Sequence, residues 1–220
     1  MKTYEELLST DPAWPEIAAA ASGSRRVTLL PPAPARARSC LEALQVTTRS
    51  PLGAVAHETG GMLVDHGWLR VLGSGHARLT RSLGRWNAEL QIDLADFVIV
   101  ADDVVGGVFA INGGALGPAR GNVHYFAPDT LRWEDLALGY GAYVRWAFTG
   151  DLDTFYANLR WSGWQPEVEQ VDGDRMLSLY PPPCSVEGKD RSKVSRRPVP
   201  AAELWRLNVD AAAQLADGRG

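Results

Sequence analysis

Few residues of this 220-residue chain have both the type and the spacing that chemistry requires. Asp102 and Asp103 are adjacent carboxylates beside Gly106-Gly107. Two such groups can do acid–base work when one raises the pKa of the other. At a strand end the same pair serves as a turn former, its oxygens accepting backbone N–H bonds. His57, Glu58, Asp65 and His66 have zinc-binding chemistry but the wrong spacing, since an HExxH motif needs its second histidine four residues on. Capping and turn bonds are therefore the expectation, with no metal and no cofactor.

Other reactive arrangements are equally incomplete. The glycine-rich loops at 73–75 and 113–121 lack the Gly-Lys-Ser/Thr ending and the strand-then-helix setting of a nucleotide loop. Ser74 sits in no Gly-x-Ser-x-Gly elbow. Cys40 falls on an apolar helical face, and Cys184 lies among prolines with no histidine beside it. No catalytic residue is expected. The residues left for contact with a ligand or partner are Asp102, Asp103, His66, His124 and Trp86, the last in the polar stretch SLGRWNAEL and so expected to be partly exposed.

The totals narrow the classes. Apolar residues make up 45% and charged residues 22%, an ordinary globular balance. A net charge of −4 disfavours a nucleic-acid surface. The one basic run, KDRSKVSRR at 189–197, lacks interleaved aromatics and reads as a solvated linker. Two distant cysteines make no disulfide framework. With no signal-like or membrane-length apolar segment, a soluble cytoplasmic protein is expected.

The elements that must hold these residues are legible in outline. Helices are expected from Asp11-Pro12, around Ala37 to Leu44, and from Ser50-Pro51; a strand is expected at 26–30. Residues 62–75 read as a buried strand or two bent at Gly67, and 76–95 as an excursion with a helical turn. Strands at 97–101, 107–112 and 122–126 are spaced for an antiparallel meander. The spacing of Trp133, Leu136, Ala137, Tyr140 and Val144 predicts a helix over 131–149, with a second from Asp151. A hairpin is expected from 168–171 and 176–180, turning at Asp172-Gly173. The domain reading is one α+β unit over 1–180, a flexible Pro-rich and basic connector over 181–199, and a C-terminal helix over 200–220. Leu204, Leu207, Ala211 and Leu215 are predicted on one side of that helix.

The segments at 60–75, 101–114, 121–146 and 151–164 carry a resemblance. Their order, a glycine-rich turn, two strands and an aromatic helix, resembles an uncharacterised bacterial domain family and, more distantly, the SUKH superfamily of immunity proteins. The resemblance implies an α+β fold, an antiparallel sheet packed by helices, and a protein-binding role, with a toxin domain as partner. Its alternatives are a small-molecule binder or enzyme with a polar pocket near Asp102 and Asp103, and a module that forms a homo-oligomer.

Overall fold

The computed structural model describes residues 1–217. Its centre is a seven-stranded sheet in which every neighbour in space is the neighbour in sequence, all pairs antiparallel. The fold is α+β, as the strand spacing predicts. The chain enters through α1 (Tyr4–Leu7), capped reciprocally by Thr3 and Glu6, and α2 (Trp14–Ser22). β1 (Val27–Leu30) follows, then α3 (Pro34–Leu44) and α4 (Pro51–Glu58), where Ser50 Oγ accepts the N–H of Gly53. β2 (Gly61–Val64) and β3 (Leu69–Leu72) form the next hairpin, its turn falling at Gly67 as expected.

Residues 76–95 contribute α5 (Leu83–Glu89), whose work is visible at the edge of β4 (Phe97–Asp103). The pairing of β3 with β4 ends at Val71 and Ala101, leaving Ile99 without a ladder partner on that side. Asn87 replaces it: its amide donates to the Ile99 carbonyl at 2.9 Å and its carbonyl accepts the Ile99 N–H at 2.8 Å. β5 (Val108–Asn112), β6 (Asn122–Ala127) and β7 (Arg132–Gly139) complete the sheet.

The expected helix over 131–149 is half strand. β7 runs to Gly139, and only α6 (Tyr140–Thr149) is helical. A bulge between β6 and β7 breaks the register at residues 136–137, with Ala137 at φ +54°. It shifts the strand alternation by one, so Trp133, Leu136 and Leu138 are the half-buried positions. Their three-residue step imitates helical spacing.

The pleat sends successive residues to opposite faces. Phe109, stacked on Tyr125, meets Tyr143 of α6 on one face, where Tyr125 meets Phe155 at the end of α7 (Leu152–Phe155). Phe126 and Trp133 meet Trp205 of α9 (Ala201–Asp217) on the other. The hairpin expected over 168–180 is replaced: 164–168 is the short helix α8 (Trp164–Val168), and β8 (Arg175–Tyr180) pairs with β9 (Ser195–Pro200). Residues expected as a loose connector therefore supply a strand, and Arg196 at its start bonds Glu167 at 2.9 Å. Helix α9 buries Ala201, Leu204 and Trp205 and leaves Leu207 and Leu215 exposed, so the predicted stripe is only partly covered. The expected end of that helix, 218–220, lies outside the described residues. Among the described residues no helix is long and apolar enough to cross a membrane.

Candidate functional site

Asp102 and Asp103, adjacent in sequence, are not a pair in space. Both close β4, where the pleat turns them to opposite faces of the sheet. Asp102 lies opposite Arg70 of β3 and beside Val108, on the face covered by the β8–β9 hairpin. Its Oδ1 meets Arg70 at 2.7 Å, and both its oxygens meet Arg81. Arg81 also donates to the Gly173 carbonyl at 2.7 Å and reaches Asp174 at 3.4 Å. Arg70 donates to the carbonyls of Asp103, Gly173 and Arg175. The approach of the 172–174 turn is close enough that a Cβ on Gly173 would lie 2.1 Å from the Arg78 carbonyl oxygen. Asp102, Arg70 and Arg81 are all buried, so the carboxylate is the counter-ion that makes two arginines tolerable under the hairpin.

Asp103 faces the aromatic side. Its Oδ1 accepts the N–H groups of Val105 at 3.0 Å and Gly107 at 2.8 Å, and its Oδ2 accepts the Tyr125 hydroxyl at 2.7 Å. This is the turn-forming role, performed inside the core. Burial pushes its carboxyl up to about 6, although Tyr125 and the two backbone donors pull the other way. A carboxyl raised in the folded state contributes stability that is complete below its unfolded pKa of about 4 and is lost as pH rises through about 6. Wild type should therefore gain stability relative to Asp103→Asn as pH falls from 7 to 4.5. Urea denaturation of both proteins across that range measures the difference; a constant gap would contradict the assignment.

The other contact candidates are dispersed. His66 sits in the β2–β3 turn, exposed, with Nδ1 against Glu169 Oε1 at 2.5 Å and its ring edge-on to Trp164 at 5.8 Å. His124 is buried on β6, opposite Ala110 and Asp135, its Nδ1 3.4 Å from the Asn122 carbonyl. Trp86 is buried rather than partly exposed: Arg85 and Glu89 lie on the outer side of α5 while Asn87 turns inward to Ile99, and the Arg81 guanidinium covers the Trp86 ring at 4.8 Å. The possible zinc set is also parted. His57 engages Tyr4 and Glu58, Asp65 engages Arg160, and His66 engages Glu169. Cys40 is buried, as its helical face implies, and desolvation raises its thiol to about 11, far from a thiolate nucleophile.

Sequence reasoning missed the arginines. Arg70 falls within LRVL, a strand buried at all four positions, and that was the available signal: a charge inside a buried strand demands a counter-ion. Arg70 also lines a concavity with His66, Arg78 and Glu169.

A second feature lies at the far end of α9. Leu215 is 46% exposed, yet it stands eleven residues beyond buried Leu204, about three turns along the same helix face. It overhangs two adjoining cavities of about 290 and 590 Å³ that share Thr130, Arg132 and Leu215. Leu131 and Ala212 line the first; Trp133, Cys184, Asp129 and Glu134 line the second. The result is an apolar groove with two carboxylates and one guanidinium at its rim.

Comparison with known proteins gives a consistent picture. A family model described as protein of unknown function DUF2625 matches residues 4–204. The chain is 40% identical over 209 residues to the uncharacterized protein YbfG of Escherichia coli strain K12, covering 94% of this chain and 95% of that one. It is 42% identical over 142 residues to an uncharacterized protein of Haemophilus influenzae, covering 63% of this chain and 62% of that one. No solved structure matches with significance. These matches agree with an uncharacterised bacterial family; none of them is to a SUKH protein.

Proposed function

We propose that this chain, which belongs to the DUF2625 family of proteins of unknown function, is a protein-binding domain that takes a basic partner in the groove beneath the end of α9. The observation that carries this reading is Leu215. Exposed Leu215 does not stand alone but lines one concavity with Leu131, Ala212 and Trp133, and a contiguous apolar patch of that kind is the pattern of an interaction surface. Asp129 and Glu134 at the rim and the net charge of −4 would steer a basic partner toward it. A toxin domain neutralised by this chain is one such partner, and it is the role the SUKH resemblance implies.

Self-association through the sheet has less support. β1 is four residues long and runs into Pro31-Pro32, while β7 carries the bulge at 136–137. Short edges and bulges are the devices that prevent edge-to-edge pairing. A pocket enzyme built on Asp102 and Asp103 is also less supported, because their oxygens are engaged with Arg70, Arg81, Tyr125 and backbone donors.

The test compares partner recovery from the native cells using wild type, Leu215→Asp and Glu134→Lys, with recovered proteins identified and their charge determined. A defined basic partner should co-purify with wild type and fall about tenfold with Leu215→Asp, while the melting temperature stays unchanged. Equal recovery with all three proteins would overturn the reading.

A further inference from the structure

One concavity of this acidic chain is lined by several arginines. Two adjoining cavities, of about 270 and 360 Å³, share Leu63, His66, Gly67, Arg78 and Glu169. Arg70 lines the first, and Arg25 and Arg26 line the second. Four arginines from three separate stretches of chain thus line one concavity, Arg26 with its guanidinium donating to the Gly150 carbonyl at 2.8 Å and Arg70 paired with Asp102. Among the described residues neither Arg25 nor Arg78 forms an ion pair. The carboxylates nearby have partners of their own: Glu169 engages His66, and Asp172 accepts the N–H of Asp174.

Arg70 is the informative member. It is 1% exposed, and its terminal nitrogens are taken by Asp102 and by three backbone carbonyls. Its Nε–H has no acceptor. A buried guanidinium N–H without a partner is costly, and the exposed Arg25 and Arg78 supply the forked donors that match the oxygens of an oxyanion. The rim is held in an unusual conformation. Asp65, His66 and Gly67 are consecutive left-handed residues, at φ +52°, +60° and +85°. Two of them are not glycine, so the turn is strained, and it is the turn that holds His66 at the mouth of the concavity.

We infer that this concavity binds a phosphoryl group, as free phosphate or as the phosphate monoester of a small molecule. The excess of cations favours a dianion over a carboxylate, and the combined volume admits an organic group beside the phosphoryl. The site shares no residue with the α9 groove, so either assignment can fail alone.

Calorimetric titration of the full chain with inorganic phosphate and, separately, with O-phosphoserine at constant ionic strength tests the inference, with acetate as control. Saturable binding of phosphate alone identifies the free ion; tighter binding of phosphoserine identifies a monoester; acetate should give neither. Arg78→Glu and Arg25→Glu, both at exposed positions, should each weaken binding about tenfold without changing the melting temperature of the free protein, and Arg78→Lys should retain most of it. No saturable binding of either phosphate, or an affinity untouched by both charge reversals, would overturn it.

Discussion

Asp102→Ala should lower the unfolding free energy by about 3–5 kcal/mol, the cost of stranding buried charge rather than of losing one hydrogen bond. Asp102 is the shared counter-ion of Arg70 and Arg81, and all three are within 6% of complete burial. Burial pulls the Arg70 guanidinium below its ordinary pKa, and Asp102 is the largest influence opposing that. Without it, Arg81 retains Asp174 at 3.4 Å and the Gly173 carbonyl, while Arg70 retains only carbonyls. The damage should spread to the attachment of the β8–β9 hairpin, since residues 173–175 are held by these same guanidiniums. Asp174→Ala, at a half-buried position that bonds Arg81 from the side, should cost clearly less. Urea denaturation of the two variants separates the cases. A loss for Asp102→Ala no greater than that for Asp174→Ala would show that the pair of arginines does not depend on Asp102.

Trp68→Ala should be comparably severe, about 3–5 kcal/mol. Trp68 is fully buried in the β2–β3 turn, against Tyr156 at 5.4 Å, Trp161 at 5.7 Å and Trp164 at 5.1 Å. Arg160 lies 5.0 Å over its ring and 4.1 Å over that of Trp164, while pairing with Asp65 in the same turn. The indole therefore ties the left-handed turn to the α7–α8 segment. Its Nε1 has no acceptor. Trp68→Phe should consequently lose area but no hydrogen bond, and cost roughly half as much. Chemical denaturation gives the two values; equal losses would mean that the indole N–H is bonded after all.

What the chain discloses about itself follows from how local each signal is. The three strands between Phe97 and Ala127 are separated only by turns, so pattern and pairing coincide and the meander is readable. β7 is not, because a bulge gives a strand the spacing of a helix. β8 was visible as a strand, but its partner lies fifteen residues beyond its end rather than before it, and no short-range pattern reports a pairing of that length. The apolar positions Trp164 and Val168, four apart, belong to the single helical turn of α8, too short for periodicity to reveal.

The candidate site shows the same division. Asp102 and Asp103 were legible as important carboxylates, and Asp103 does form its turn. That they act on different faces follows from strand pleat, which becomes evident only when the strand is known to extend through Asp103. The convergence of Arg25, Arg70 and Arg78 depends on three segments that meet only in the folded chain, and no spacing along the sequence encodes it.

If recognition takes place at the groove beneath α9, hydrogen–deuterium exchange will map it there. The complex isolated from native cells is compared with the free protein, peptide by peptide. Added protection is expected in residues 129–134 and in α9 around Leu215, with the interior around Asp102 unchanged. Protection confined to other surfaces, or none anywhere, would contradict it.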